Sequence, residues 1–334
     1  MGFLYSQLLK TLPYPTGSYA GKSIIITGGN AGLGKEAARH YARLGAARIV
    51  LAVRNLDKGH DAKHDIEAST GCGPDIVQVW RVDMASYQSV QAFAARVCGI
   101  ELDRVDIFHA NAGLARAAYG NARLAGGDEE MMAVNCISTL LLAALVMPKL
   151  KETAAHFPGV RPVFSITTSG THGHTVLPQA KSALPTEGAL LAAINDKATA
   201  EKHWDDQYPI SKLLTVFAVR AIAERHSSDE FPVILNLADP GLCWSELGRD
   251  YPTWGFWLIK AILARSTEVG SRTLLHAGAA GRDSHGKYCD DCEISVPASV
   301  VTSDAGKLLQ ERVWNELVAK LESIQPGVTG NFSK

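Results

Sequence analysis

Tyr208 and Lys212 stand four residues apart in the stretch Tyr-Pro-Ile-Ser-Lys. On a helix that spacing puts both side chains on one face, where the ammonium sits beside the phenol and favours its ionised form. A phenol that ordinarily titrates near pH ~10 then becomes a usable proton donor and acceptor. The same spacing also arises by chance, as a lysine stem lying along a half-buried tyrosine. The choice depends on whether the chain before the pair builds a cofactor site and the chain after it a substrate site.

The elements that would position the pair begin at Ser23. Ser-Ile-Ile-Ile-Thr is a β-branched run without polar alternation, the pattern of a parallel strand covered on both faces. Thr27, Gly28, Gly29, Asn30, Ala31, Gly32, Leu33 and Gly34 follow, and then a helical stretch over 35–44. Strand, glycine-rich turn and helix N-terminus together form an anion site: glycines let backbone N–H groups approach a pyrophosphate, and the helix dipole favours its charge. The second strand, 48–53, ends in Arg54. An acidic residue there would bind the ribose hydroxyls of NAD, whereas an arginine pairs with a 2′-phosphate, so the charge points to NADP(H). A helix over 57–67, a strand over 75–82 ending at Asp83, a helix over 87–97 and a strand over 105–110 lead to Asn111, Ala112 and Gly113.

A long helix from Glu129 carries Asn135, which needs hydrogen-bond partners if buried. The strand at 163–167 ends in Thr167-Thr168-Ser169-Gly170-Thr171-His172, and a hydroxyl at such a strand end faces the ligand crevice of a doubly wound sheet. Ser169 and Thr168 both qualify, because a one-residue slip exchanges their directions; His172 is assigned no role. The stretch 173–207 is read either as a wall of the substrate pocket or as a surface insertion. An amphipathic helix over 208–225 follows, with Pro209 in its first turn, and a strand over 233–237 leads into Asp239-Pro240-Gly241. Trp254, Phe256 and Trp257 cluster in 251–264, as an apolar lid or as a helix packed on the core. A helix over 268–279, a short strand at 286–288 and a helix over 304–324 complete the chain.

Thr-Gly-x-x-x-Gly-x-Gly, at Thr27, Gly28, Gly32 and Gly34, resembles the cofactor loop of the short-chain dehydrogenase/reductase family. Asn111-Ala112-Gly113, Asn135, the strand-end hydroxyl, Tyr208-x-x-x-Lys212 and Pro240-Gly241 follow in that family's order, so the resemblance covers about 21–321. The pattern is most similar to retinol-dehydrogenase-like and fungal secondary-metabolism members. The resemblance implies a single doubly wound α/β Rossmann domain over 21–325, with a seven-stranded parallel sheet flanked by helices, an N-terminal arm at 1–20 and a tail at 326–334. It implies an oxidoreductase that interconverts a carbonyl and an alcohol, with Asn135, Ser169, Tyr208 and Lys212 catalytic. Alignment on His172 selects Ser169, and Asn135 would hold a relay water. NADP(H) would lie against Thr27, Gly28, Asn30, Gly32, Leu33, Gly34, Arg54, Asp83, Asn111, Ala112, Gly113, Tyr208, Lys212, Pro240 and Gly241, with Asp83 at the adenine and Ser245 standing where members often carry a threonine. Two departures are plain. Ala110 replaces an asparagine, so strand-end stability must come from elsewhere, and Ser169 and Tyr208 are 39 positions apart, far more than in many members. The alternatives within this resemblance are a silent cofactor-binding scaffold or sensor and a non-redox lyase or isomerase. Members commonly pair as homodimers through the two long helices that here carry Asn135 and Tyr208.

Composition fits a small-molecule site. Lys and Arg total 33 against 34 Asp and Glu, so no broad field draws nucleic acid or an anionic bilayer. Six scattered cysteines without a secretory segment read as free thiols in a reducing compartment, and a cytoplasmic location is expected. Cys289 and Cys292 form a C-x-x-C with no second pair for zinc, read as a surface loop; no metal site is expected. Residues 1–15 are too short and interrupted for a signal peptide or a membrane span, and the apolar run 136–150 suits a buried helix. The opening Met-Gly-Phe-Leu-Tyr-Ser fits either acylation of Gly2 with peripheral membrane association, or an apolar arm packed on the domain. Asn331-Phe-Ser is a glycosylation sequon in form only.

Overall fold

The structure, a computed structural model, describes residues 2–182, 188–247 and 254–333. The β-branched run becomes β1 (Ser23–Thr27), buried throughout. It is followed by β2 (Arg48–Val53), β3 (Val77–Arg81), β4 (Ile107–Ala110), β5 (Val163–Thr167), β6 (Ile234–Asp239) and β7 (Tyr288–Asp290), all parallel. An eighth strand, β8 (Glu293–Ser295), turns back antiparallel on β7, so the sheet has one strand more than expected and is not wholly parallel. The hairpin turn uses Asp291 and Cys292 at φ 48° and 60°, where the sequence signal would have been Asn-Gly. The C-x-x-C therefore lies in this hairpin with both thiols buried rather than on a surface loop; all six cysteines are free.

The strand order is β3-β2-β1-β4-β5-β6-β7-β8. Chain direction across the sheet reverses between β1 and β4, and in such sheets the crevice outside the carboxyl ends of these strands holds the ligand. Successive side chains alternate faces: Ile24 and Ile26 pack in one core, Ile25 in the other. The first core is closed by α2 (Gly32–Arg43), α3 (Leu56–Thr70) and α11 (Thr267–Ala279). The second is closed by α4 (Tyr87–Cys98), α5 (Ser138–His156), α9 (Trp204–Arg225) and α13 (Asp304–Ile324). Asn55, Ser86 and Ser303 accept from first-turn N–H groups and so start α3, α4 and α13.

Shorter helices decorate this frame: α1 (Phe3–Leu9), α6 (Gln179–Ser182), α7 (Ala189–Asn195), α8 (Lys197–Lys202), α10 (Trp254–Leu263) and α12 (Ser299–Thr302). Because α9 begins at Trp204, Pro209 lies inside it rather than in its first turn; its missing N–H leaves the carbonyl of exposed Asp205 without a helical partner. The expected tail carries a final 3₁₀ turn, Val328–Phe332, which buries Phe332 and sends the Asn331 amide to the Ala144 carbonyl at 3.1 Å. This turn packs on α5 and α13 packs on α9, so both long helices are partly covered within the chain. Among the described residues one helical stretch, Met132–His156, is long and apolar enough to cross a membrane, but 89% of its apolar window is buried in the protein.

Candidate active site

Tyr208 and Lys212 lie one turn apart on α9, with the Lys212 Nζ 5.7 Å from the tyrosine ring centroid. Lys212 is buried and donates to the Thr167 carbonyl at the end of β5, at 2.9 Å. Burial draws its pKa from 10.5 down to about 8, opposed by the nearby Asp239 carboxylate. Gly113 packs beside this pair: a Cβ there would lie in ordinary contact with Nζ at 3.5 Å and crowd Asn135 Oδ1 at 3.2 Å. Tyr208 is half-buried and faces a cleft of about 750 Å³ at the carboxyl ends of the strands.

Asn135 sits in a π-helical segment, Met132–Ile137, that leads into α5. Such a widened turn inserts a residue into the helix and re-aims a side chain. Its amide donates to Leu114 O and Ser211 Oγ at 2.9 and 3.0 Å, and its Oδ1 accepts from Leu114 N at 2.9 Å. The side chain thus ties the segment after β4 to α9, and each of its polar groups already has a protein partner. A relay water at this position would therefore be held by the main chain.

Thr167, Thr168 and Ser169 all line the cleft. Ser169 Oγ accepts from Thr171 N at 3.3 Å and Thr171 Oγ1 at 3.0 Å, which leaves its own proton to donate. Thr168 is buried, and its hydroxyl has no partner among the described residues. His172 holds this loop from behind. Its Nε2 accepts from Ala298 N at 3.0 Å, so the ring proton sits on Nδ1, which donates to Ser169 O at 2.8 Å. Burial lowers its pKa and keeps it neutral.

The opposite wall is made of backbone. Gly28 and Gly32 adopt φ of 69° and 55°, and a Cβ on Gly34 would lie 2.6 Å from both Asn111 Nδ2 and Gly28 O. These glycines leave peptide groups exposed beside the start of α2, the arrangement an anionic phosphate needs, so the residues present fit a dinucleotide. Thr27 Oγ1 accepts from Asn111 N and Ala112 N at 3.0 and 2.9 Å, and Asn111 Nδ2 returns to Thr27 O at 3.0 Å. Asn111 therefore supplies the strand-end tie that Ala110 cannot. Arg54 is exposed past the end of β2, lines the cleft, and forms no ion pair among the described residues. Asp83 accepts from Ala85 N at 3.0 Å, and Asn30 and Leu33 also line the cleft.

The third wall is the expected Pro240–Gly241 turn, but the Gln7, Arg265 and Lys260 side chains that hold this wall carried no signal in the sequence. Asp239 Oδ1 accepts from Gly241 N at 2.9 Å, Gln7 Oε1 accepts from Leu242 N at 3.1 Å, and Arg265 Nη1 donates to Pro240 O at 3.5 Å. The neighbouring Asp239 and two side chains from distant segments, Gln7 and Arg265, thus hold the two successive peptides 240–241 and 241–242 of the turn. Ser245 lies beside Gly32, with 3.7 Å between its Cβ and the position a Cβ on Gly32 would take. Lys260 of α10 reaches in from the expected lid and donates to Ser245 O at 2.6 Å. The rest of that lid falls partly outside the described residues: positions 248–253 and the side chains of Trp254 and Phe256.

Of the stretch after Gly173, His174 reaches the cleft, while α7 and α8 pack away from it. Leu190 N and Leu191 N are held by the Glu316 carboxylate of α13 at 3.2 and 2.8 Å, and Ile194 is buried in the core. This segment is neither a free decoration nor, among its described residues, chiefly a pocket wall; it is part of the packed frame.

Residues 22–156 match the family described as short chain dehydrogenase. The short chain dehydrogenase/reductase dmxR8 of Cryptosporiopsis sp. is 65% identical over 332 residues, covering 99% of this chain and 100% of that protein. The short-chain dehydrogenase/reductase ffsI of Aspergillus flavipes is 40% identical over 320 residues, 94% of this chain and 90% of its own length. Among solved structures, an alcohol dehydrogenase from the archaeon Thermococcus sibiricus complexed with 5-hydroxy-NADP superposes with a TM-score of 0.55 at 20% identity, over 82% of this chain and 97% of that one. A 3-ketoacyl-(acyl-carrier-protein) reductase from Brucella melitensis complexed with NADH gives 0.58 at 19%, with the same two coverages. These structural likenesses establish the fold.

Proposed function

The chain belongs to the short-chain dehydrogenase/reductase family, a family of oxidoreductases, and on that premise we propose that it interconverts a carbonyl and an alcohol on an apolar small molecule with NADP(H). The observation that carries this reading is the buried Lys212 ammonium beside Tyr208, on the wall of a cleft whose other wall is a glycine cradle. When bound, the nicotinamide supplies or takes the hydride. Every proton is handled by the chain itself. Ser169 donates to the carbonyl oxygen, where negative charge develops. Tyr208 gives its phenolic proton to that oxygen in reduction and takes it back in oxidation. Lys212 stabilises the resulting phenolate while it is charged, below about pH 8.

NADP(H) is supported by Arg54 just past β2, which lines the cleft and forms no ion pair among the described residues, since a guanidinium there can pair with a 2′-phosphate. The test is oxidation of NADPH and NADH by the purified chain across a panel of aliphatic, aromatic and polycyclic ketones. NADPH is consumed faster, and Arg54→Ala raises its KM about tenfold while leaving NADH nearly unchanged. Cofactor binding without oxidation across the panel would instead identify a silent cofactor-binding protein.

A further inference from the structure

The helix α1 has its polarity reversed. Leu4, Tyr5, Leu8 and Leu9 are 46–72% exposed, while Ser6, Gln7 and Lys10 face the protein. Seven residues are too few for a helix to hold itself in water, and none of these seven is buried. Polar contacts hold it instead. Arg265, itself buried, donates to Ser6 O at 2.6 Å and pairs with Asp291 at 2.6 Å, Ser6 Oγ donates to Asp291 Oδ1 at 2.9 Å, and Lys10 pairs with Glu293 at 2.9 Å.

These contacts deliver Gln7 to the cleft. Its Oε1 accepts from Leu242 N at 3.1 Å, and its Nε2 lies against Gly241, 2.5 Å from where a Cβ there would be. That Nε2 is buried and has no partner among the described residues, while Gln7 lines the cleft. A buried amide donor is costly to leave unpaired, so a donor of this kind is most readily explained by a ligand that completes it. We propose that Gln7 is a cofactor-binding residue contributed by the N-terminal helix: Oε1 fixes the Leu242 peptide, and Nε2 donates to the dinucleotide bound against the Pro240–Gly241 turn. The proposal rests on the reading of the cleft as a dinucleotide site. It makes residues 2–10, which precede the Rossmann strands, a part of that site.

The experiment measures NADPH dissociation constants and thermal midpoints of the cofactor-free protein, on the full chain with an unmodified N-terminus. Gln7→Glu keeps an oxygen for Leu242 N and removes the donor; Gln7→Met removes both; Ser6→Ala weakens the helix anchor and leaves Nε2 in place. Gln7→Glu and Gln7→Met each weaken NADPH binding about tenfold, Ser6→Ala by less than about threefold, and the midpoint of Gln7→Glu stays near that of the wild type. NADPH binding by both Gln7 variants within twofold of wild type overturns the proposal, as does a lowered midpoint with unchanged affinity, which would make Gln7 purely structural. A wild-type chain that binds neither NADPH nor NADH overturns the dinucleotide reading itself, an outcome distinct from failure at Gln7 alone.

Discussion

The two sides of the cleft are built on different principles. The cradle side is assembled from consecutive strand–turn–helix units: β1, the glycine turn, α2 and β2, with Asn111 bonded back to Thr27. Its essential groups are peptide N–H groups, and the residues that matter are those lacking a side chain. The reactive side is assembled from segments far apart in sequence, with Gln7 on Leu242, His172 on Ala298 and Arg265 on Asp291. Here the groups facing the cleft are side chains, and several segments are held by partners from another region. A local motif can therefore specify most of the cradle, with Asn111 as its long-range tie, whereas much of the reactive side exists only in the finished fold.

Breaking the reactive side has the larger effect on turnover. Lys212→Met lowers kcat by about 10³, because the phenol loses its neighbouring charge. The same substitution tests the electrostatics through stability. The folded-state pKa of Lys212 is depressed from 10.5 to about 8, so between those values the unfolded chain binds the proton and the native chain does not. Lys212 thus adds stability as pH rises from about 8 to 10.5 and loses it as pH falls back; this increment is absent from melting curves of Lys212→Met. Ser169→Ala lowers kcat by about 10², as expected for removal of a donor to a developing oxyanion, while Thr168→Val stays within about threefold. Reversal of that order would move the catalytic hydroxyl to Thr168. On the cradle side, Gly34→Ala weakens NADPH binding about tenfold by titration calorimetry and changes kcat little at saturating cofactor, since its Cβ meets Asn111 and Gly28 O.

The same contrast explains what could be read from the sequence. The glycine spacing, Arg54, Asn111, and the Tyr208–Lys212 turn are local patterns, and the structure brings them to one cleft. The span of α13, Asp304–Ile324, was also legible, because Ser303 caps it and its apolar positions repeat with the helical period. Gln7, Arg265 and Lys260 carried no such signal. A glutamine in an apolar arm or a lysine in an aromatic helix becomes part of the site only through contacts made across the whole chain. The eighth strand escaped for a different reason: it is three residues long and its turn lacks the usual glycine. Asn135 lies between the segment after β4 and α9, where the water relay expected of it competes with the bonds its amide makes to Leu114 and Ser211.

One paired measurement of Tyr208→Phe tests proton transfer most directly: the NADPH dissociation constant and the single-turnover rate of ketone reduction on the same preparation. Loss of the phenolic proton donor should cut the rate by about 10³ or more while the dissociation constant stays within a fewfold of wild type. Reduction at close to the wild-type rate, with cofactor bound, would contradict the assignment of proton transfer to Tyr208 and with it the proposed chemistry of the reactive side.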